Sequence, residues 1–178
     1  MATTKWVLDP AHSEVQFKVR HMMISNVTGK FHKFDASVET EGDDFTTANI
    51  SFTADVDSVN SGSEQRDGHL KSEDFFDAAN YPQIKFEGTS LEKIDDENYK
   101  LHGNMTIRNT TKPVTFNVEF GGIHKDPWGN TKAGFSIDGK LNRKDYGLHW
   151  HVVTEAGGLV AGDEVKLHVE AEFAKQTA

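Results

Sequence analysis

Histidine is the residue type with the clearest potential for chemistry in this chain, which contains nine histidines and no cysteine. His149 and His151 lie two positions apart, so on a β-strand their side chains would share one face, a spacing that zinc sites accept. His12, His124 or a nearby carboxylate would supply a third ligand. Because the histidines form no further cluster in the sequence, we keep a histidine-based metal-binding protein as an alternative and assign no metal ligands.

Acid–base catalysis is a second possibility. Arg143, Asp145 and His149 stand close to Gly147, and a turn at that glycine would let the three side chains converge. The sequence contains no phosphate loop, dinucleotide fingerprint, zinc-protease motif or serine-hydrolase motif. We therefore predict that the protein is not an enzyme and needs no cofactor, and we keep an enzyme acting on a lipid-like substrate as an alternative.

Two further polar groups lie close to apolar segments. Arg66, Asp67 and His69 predict a salt bridge that anchors their loop, with recognition of a ligand head group as the alternative. His21 is in phase with the apolar residues that precede it. It is therefore either a structural histidine or a donor to a ligand head group.

The elements that would position these residues are strands, because apolar and polar residues alternate along much of the chain. The alternation runs through segments near 14–22, 49–59, 84–89, 101–108, 114–120, 135–141 and 165–173, with a less regular segment at Phe31–Glu39. Each segment has one apolar and one polar face, which is typical of antiparallel sheets. Turn residues predict hairpin connections at Gly42–Asp44, Asp95–Asn98, Asn109–Pro113 and Asp126–Asn130.

The segment from Ser61 to Asn80 breaks the alternation. Ser63 and Ser72 are candidate N-caps, each followed by acidic residues, and they predict one or two short helices. Pro82 then favours a return to extended chain.

Length and charge limit the classes of partner. The 178 residues fit one domain, 1–178, and the 28 acidic against 19 basic side chains give a net charge of −9. This charge disfavours nucleic-acid binding. No apolar run is long enough to span a membrane. No signal-peptide core follows Met1, so we expect a cytoplasmic protein as the sequence stands, or a periplasmic one if a leader was removed.

About eight one-sided strands predict a sandwich or a closed barrel. Phe17, Phe52, Phe86, Phe116 and Phe135 lie mid-strand on the apolar faces, and small residues share those faces. The pattern alone leaves two interpretations open. Either the aromatic rings fill an ordinary core, or the small residues leave room inside for a ligand.

Longer blocks of sequence point to a family. They are Asp9-Pro10-Ala11-His12-Ser13, Arg66-Asp67-x-His69-Leu70-Lys71-Ser72, Asp74-Phe75-Phe76-Asp77, Tyr81-Pro82-x-Ile84-x-Phe86, Met105-Thr106-Ile107-Arg108, Thr111-Lys112-Pro113-Val114 and Asn142-Arg143-x-Asp145-Tyr146-Gly147-Leu148. In this order the chain resembles the YceI-like family of polyisoprenoid-binding, lipocalin-like proteins. The resemblance extends from Trp6 to Phe173. Asn109 departs from it, standing where a glycine is expected, but asparagine tolerates a left-handed turn.

The resemblance implies an all-β fold, a single eight-stranded antiparallel lipocalin-like barrel with one or two short helices around residues 61–80. It also implies a homodimer and an apolar tunnel. The expected ligand is a long-chain amphiphile, namely a polyisoprenoid, an isoprenoid quinone or a fatty-acid-like tail, bound for transport, storage or sequestration. The candidate ligand-binding residues are Phe17, Val19, His21, Phe52, Ala54, Phe75, Phe76, Phe86, Met105, Ile107, Phe116, Phe135 and Ile137.

Overall fold

The computed structural model describes residues 3–21, 25–62, 64–72, 76–146 and 161–176. The strands are β1 (Thr3–Leu8), β2 (Glu14–His21), β3 (Ser25–Phe31), β4 (Phe34–Glu41), β5 (Asp44–Asp55), β6 (Val59–Asn60), β7 (Gln83–Lys93), β8 (Asn98–Ile107), β9 (Thr110–Lys125), β10 (Thr131–Asn142) and β11 (Ala161–Lys175). Helix α1 covers Glu64–Lys71, and 3-10 turns cover Pro10–His12, Val56–Ser58 and Arg143–Tyr146.

The strands close into the predicted barrel. The hydrogen-bonded order is β1-β4-β5-β7-β8-β9-β10-β11, and β11 pairs back onto β1, where Trp6 lies opposite Lys175. All of these pairings are antiparallel. Closure removes the free strand edges that would otherwise pair with other chains.

Three of the barrel's positions are each filled by two consecutive strands that together form one long, bent strand. β2 continues β1, and the two strands pair with different parts of β11. β3 and β4 pair with β2 and β1 in the same way, and β6 continues β5 to pair with β3. Counted by position, the barrel therefore has eight strands, and neighbours in the ring are consecutive in the chain.

The first bend shows how the sequence makes such a strand. Asp9 caps the 3-10 turn, since its Oδ1 accepts a hydrogen bond from the Ala11 amide at 3.1 Å, and Pro10 supplies a fixed φ at the first turn position. Ser13 Oγ accepts a hydrogen bond from the Glu172 amide at 3.0 Å. The bend also shifts the alternation, because Trp6 is buried on β1 whereas Phe17 is buried on β2.

The two ends of the barrel differ in their connections. At one end the strands are joined through residues 42–43, 94–97 and 126–130; we call this the short-loop end. At the opposite end the connections are 22–24, 61–82, 108–109 and 143–160; we call this the long-loop end. Helix α1 belongs to the long-loop end. Within the described ranges, no helix has the length and apolar character needed to cross a membrane.

Some sequence-based boundaries need correction. The strand expected near Phe31–Glu39 is two strands, interrupted at residues 32–33. The loop expected at Asn109–Pro113 is a turn at residues 108–109, and Pro113 lies within β9 opposite Asn104. The left-handed residue of that turn is Arg108, with φ 55°, rather than Asn109.

The predicted insertion is confirmed in part. The first helix is α1, which carries Glu64 and Asp67 in its first turn, where carboxylates suit the helix dipole. The second helix falls largely on residues 73–75, outside the described residues, and the chain from 76 to 80 forms turns.

Candidate functional site

Aromatic rings fill the barrel interior at the short-loop end. The rings of Phe45, Phe120 and Phe135 lie with centroids 5.1–5.3 Å from one another. Trp6 packs against Phe45 at 5.1 Å, and Tyr99 and Phe173 extend the cluster. We call these six residues the aromatic floor. Such ring pairs add about 0.5–1.5 kcal/mol each beyond the area they bury, so this end is a packed core.

The wall made by β7 and β8 is also packed. Its inward apolar side chains, all of which are at most 8% exposed, are Ile84, Phe86, Leu91, Tyr99, Leu101, Met105 and Ile107. The ring of Phe86 covers Gly103, where an added Cβ would lie 2.5 Å from the Phe86 Cζ. The glycine is therefore filled by its neighbour and leaves no space here. We call this surface the β7–β8 wall.

The same arrangement recurs on other strands. The ring of Phe17 covers Gly29, and the ring of Phe116 covers Gly139, where an added Cβ would lie 1.9 Å from a ring carbon. At Gly103 and Gly139, two of the small residues on the apolar faces, the structure therefore favours the interpretation that aromatic rings fill the interior. Small and large residues instead form complementary cross-strand pairs that close the surface.

The wall made by β11 and β2 is less completely covered than the β7–β8 wall. Val165, Leu167 and Val169 on β11 and Val19 on β2 are apolar but only half-buried, as is Ile137 on the adjacent β10. Their chain neighbours, such as the exposed Lys18 and Lys166, take the outer face, since successive side chains point to opposite faces of a strand. The remaining accessible surface of the apolar residues therefore faces the interior. We call this surface the β11–β2 wall.

A second half-buried surface lies on β4 and β5. Phe34 and Ala36 on β4 and Ile50 and Phe52 on β5 pack against the core without being fully covered. The rings of Phe34 and Phe52 lie 6.4 Å apart. Apolar side chains with accessible inner surface are what a bound hydrocarbon chain would cover.

The predicted ligand-binding residues fall into three groups. Phe17, Ala54, Phe86, Met105, Ile107, Phe116 and Phe135 are buried, and Val19, Phe52, Phe76 and Ile137 are half-buried against the same core. Phe75 and the side chain of His21 lie outside what the structure describes. Among these residues, the half-buried ones have the accessible surface that a ligand would contact.

The sequence analysis missed part of this surface. Val165, Leu167 and Val169 were recognised as the apolar face of a strand but not as candidate site residues. The alternation cannot separate a filled position from an accessible one. The missing signal was the direction of the ring on the opposite strand: Leu167 pairs with Phe17, but the Phe17 ring is turned onto Gly29.

The insertion packs against the barrel at its long-loop connection. The ring of Phe76 meets that of Phe31 edge-on at 6.1 Å, and the Phe76 amide donates to the Leu70 carbonyl at 3.0 Å. Asp67 anchors the start of the insertion, because its Oδ1 accepts hydrogen bonds from the Ser61 amide and hydroxyl. The side chains of Arg66 and His69 are not described, so their predicted salt bridge with Asp67 stays a prediction.

A buried tyrosine ends the 3-10 turn that follows β10 at the long-loop end. Tyr146 is 2% exposed, and its hydroxyl has no hydrogen-bond partner among the residues that the structure describes. The turn packs against β9, β10 and β11. Burial raises the pKa of the Tyr146 hydroxyl to about 12, and the negative charge of Asp145 adds to the rise.

Histidines and carboxylates meet on the outer face of the barrel. His12 Nδ1 lies 2.8 Å from Asp9 Oδ2 and 3.2 Å from Glu172 Oε2, and Lys132 Nζ lies 3.3 Å from the same Asp9 oxygen. The hydrogen bond from His12 lowers the pKa of Asp9, and the hydrogen bond to Asp9 raises the pKa of His12. These residues tie the first bend to β11.

Asp9, His12 and Glu172 are also the described residues whose side chains could together bind a metal ion. One possible ligand atom from each lies within 4.8 Å of the other two. Lys132 already supplies positive charge to Asp9, and His12 already binds the same carboxylate, so we interpret the group as a polar network that stabilises the bend. His149 and His151, the pair that suggested zinc, lie outside the described residues. His124 is described and its Nε2 lies 2.9 Å from the Gly121 carbonyl oxygen.

A second network lies further along β10 and β11. His168 bridges two carboxylates, with Nδ1 2.6 Å from Asp138 Oδ1 and Nε2 2.7 Å from Glu170 Oε1. The hydrogen bond to Asp138, with a smaller contribution from Glu170, raises the pKa of His168 against the opposing effect of burial. Ser136 Oγ donates to Glu170 at 2.7 Å.

A surface depression of about 410 Å³ lies at the first bend. Its lining includes Glu14, Lys30, His32 and Glu170, so it is largely charged and polar. An apolar tail would lose the hydration of these groups without replacing it. We therefore place the candidate site inside the barrel and not in this depression.

Comparison with known proteins agrees with the fold. The family model described as the YceI-like domain matches residues 6–173. A UPF0312 protein of Staphylococcus aureus strain N315 is 39% identical over 171 residues, covering 96% of this chain and 97% of that protein. A UPF0312 protein of strain MSSA476 is 37% identical over the same length.

Solved structures show the same architecture. The crystal structure of the Campylobacter jejuni YCEI protein superimposes with a TM-score of 0.76 at 33% identity, covering 89% of this chain and 90% of that one. A polyisoprenoid binding domain from Saccharophagus degradans superimposes with a TM-score of 0.69 at 16% identity, covering 96% and 98%. At that identity the second likeness concerns the fold alone.

Proposed function

The chain belongs to the YceI-like family, and from that membership we propose that its barrel binds the apolar tail of a long-chain amphiphile. The ligand class is a polyisoprenoid, an isoprenoid quinone or a fatty-acid-like chain, held for transport, storage or sequestration. The observation that carries the proposal is the β11–β2 wall. Its apolar side chains face inward yet keep accessible surface, which a bound tail would cover.

Two other observations support this proposal. A structural relative, the Saccharophagus degradans domain, is described as polyisoprenoid binding. The aromatic floor closes the short-loop end, so the tail would enter from the long-loop end and stop where Phe135 meets Phe45. The chain would then be held by burial, at about 0.8 kcal/mol for each CH₂ group removed from water.

This binding role also accounts for the interior chemistry. The inward residues of the walls are apolar, and acid–base catalysis needs titratable groups that converge on a substrate. We therefore propose a binding protein rather than an enzyme. The histidine networks lie on the outer face of the barrel, away from the proposed tail.

Native mass spectrometry of protein purified without detergent tests the proposal. We expect a co-purified ligand of several hundred daltons, and titration with an isoprenoid quinone or a long-chain fatty acid should show saturable binding. A bare polypeptide mass together with no binding of either compound would contradict the proposal. The same spectra measure the oligomeric state, which we propose to be a homodimer, and metal analysis of the sample tests the metal-binding alternative.

A further inference from the structure

A pair of buried aromatic rings separates the two half-buried surfaces of the barrel interior. The β11–β2 wall is half-buried, and so is the surface that carries Phe34 on β4 and Phe52 on β5. Between them lies β3, which pairs with β2 and leads into β4. Its last residue, Phe31, is 6% exposed, and its ring lies 5.5 Å from that of Phe17, which is 7% exposed. A tail that covers both surfaces must therefore pass these two rings.

Phe17 belongs to the β11–β2 wall as well as to the ring pair. It lies opposite Leu167 on β11, but its ring covers Gly29 on its other neighbour, β3. Leu167 therefore keeps accessible surface, while the side of the wall toward β3 is closed. Phe31 continues this cover along β3 to the point where the chain bends into β4. The two rings thus form one continuous boundary of the accessible wall.

The Phe31 ring is supported on one side and borders open space on another. The ring of Phe76, on the insertion, meets it edge-on at 6.1 Å. The depression of about 410 Å³ at the first bend is lined by both Phe31 and Phe34. In a close-packed interior, a ring moves only where neighbouring space can receive it. The depression supplies that space, so a ligand pressing on Phe31 from the interior can displace its ring.

The wall in front of the rings has a defined length. From Val165 to Val169, the half-buried part of β11, the strand rises about 13 Å, at about 3.3 Å per residue. An extended chain advances roughly 1.2 Å per bond, as an extended peptide backbone does. The β11–β2 wall therefore covers about ten carbons of a tail.

We infer that Phe17 and Phe31 form a gate that divides the tail-binding interior and sets a threshold of tail length. A tail of about ten carbons binds along the β11–β2 wall with the gate closed. A longer tail displaces the Phe31 ring and continues along Phe34 and Phe52 toward the aromatic floor. Because displacement breaks ring contacts, the affinity rises again only after further carbons are buried. The inference rests on the proposed function, since it requires a tail in the barrel.

Titration calorimetry with saturated fatty acids of about eight to about eighteen carbons tests the gate. We expect the affinity of the native protein to rise about fourfold per carbon up to about ten carbons, to level off, and to rise again for the longest acids. An affinity that rises evenly across the series would refute the gate. If no acid binds, the gate is also refuted, and titration with an isoprenoid quinone then decides whether the proposed function survives.

The variant Phe31→Leu removes the ring and keeps an apolar side chain in its place. Acids longer than about ten carbons should bind it roughly three- to tenfold more tightly than the native protein, and the levelling-off should disappear. The affinity for shorter acids should not change. The matched control is Phe173→Leu, the same change at a phenylalanine that is 5% exposed and packs on Phe135 at the short-loop end. The control should keep the levelling-off, and a native length profile in Phe31→Leu would overturn the inference.

A second measurement uses only the native protein. With ¹³C-labelled leucine and phenylalanine, the methyl resonances of Leu167 should shift with the shortest and with the longest acid, because both acids lie along the β11–β2 wall. The ring resonances of Phe31 should shift with the longest acid only. Equal shifts of the Phe31 ring with both acids would mean that this ring already lies beside a short tail, which would exclude a length threshold at this position.

Discussion

The β7–β8 wall and the β11–β2 wall carry the same alternation of apolar and polar residues, but only the first is covered over its whole inward face. Along β7–β8 the ring of Phe86 covers Gly103, and every apolar neighbour is buried. Along β11–β2, Val165 lies opposite Val19 and both stay half-buried, and Leu167 lies opposite Phe17, whose ring covers Gly29 instead. The difference lies in what the aromatic rings cover and not in the alternation of residues.

Under the proposed function, this difference separates stability from ligand binding within one sheet. A covered wall contributes packing energy in every state of the protein, whereas an accessible wall gains its burial only when a ligand arrives. Substitutions on the first wall should therefore act on folding, and substitutions on the second should act on binding.

The largest expected effect is on folding. Phe86→Ala removes a ring that is 4% exposed and uncovers Gly103, so we expect a loss of about 3–5 kcal/mol in the free energy of unfolding. Leu167→Ala on the β11–β2 wall should cost only about 1–2 kcal/mol, since part of that side chain is already accessible. Urea unfolding followed by circular dichroism measures both values. Equal losses of stability in the two variants would show that the two walls do not differ in how well they are packed.

Filling the covered glycine should have the next largest effect. In Gly103→Ala the new Cβ would lie 2.4 Å from the Glu87 carbonyl oxygen and 2.5 Å from the Phe86 ring, and we expect a loss of about 1–3 kcal/mol. The control is Gly134→Ala, where an added Cβ meets nothing within 4 Å and stability should change by less than about 0.5 kcal/mol. A tolerated Gly103→Ala would mean that the wall has spare room.

A substitution on the accessible wall should act mainly on binding. Leu167→Trp would occupy space along the proposed tail, so the longest tail accepted should shorten and the affinity for a long-chain probe should fall about tenfold, equivalent to about 1.4 kcal/mol. Lys166→Trp places the same residue one position away on the outer face and serves as the matched control. Titration with fatty acids of increasing length measures the effect. Equal behaviour of the two variants would remove Leu167 from the site.

The smallest effect concerns the outer face of the β11–β2 wall. Asp138, Glu170 and, across the strand pair, Glu14 surround His168 with negative charge, and the pKa of His168 is raised. A raised pKa stabilises the fold fully below the unfolded value near 6.5, and this stabilisation is lost as the pH rises through the folded value.

His168→Gln should therefore lower stability most below about pH 6.5 and least in alkaline solution. The difference should be at most about 1 kcal/mol, because the ion pairs are partly exposed. Urea unfolding at several pH values measures it, and NMR titration of His168 checks the direction of the pKa. A difference that grows with pH would contradict the assigned cause.

The alternation predicted about eight antiparallel strands, because each regular strand buries one face only, and the family resemblance selected the closed barrel over a sandwich. The alternation was not sufficient at the bends, because it changes phase there. A long, bent strand then gives two short segments of alternation, and the shorter one is easily overlooked. β1 was not predicted for this reason: its inward residues, Trp6 and Leu8, are out of phase with Val15 on β2.

For the candidate site, the sequence predicted the apolar interior but not which part of it is accessible. Phe116 and Ile137 have the same pattern of neighbours, yet one is covered over Gly139 and the other stays half-buried. That distinction depends on where a ring on one strand points relative to the next strand.

The pairing of β1 with β11 has a practical consequence. The Gln176 amide donates to the Lys5 carbonyl at 2.8 Å, so both ends of the described chain leave the barrel side by side at the short-loop end. A linker, label or solid support attached at either end would hold the molecule with its long-loop end facing outward. Joining the two ends and opening the chain at the Asp126–Asn130 turn should give a circular permutant with the same ring of strands.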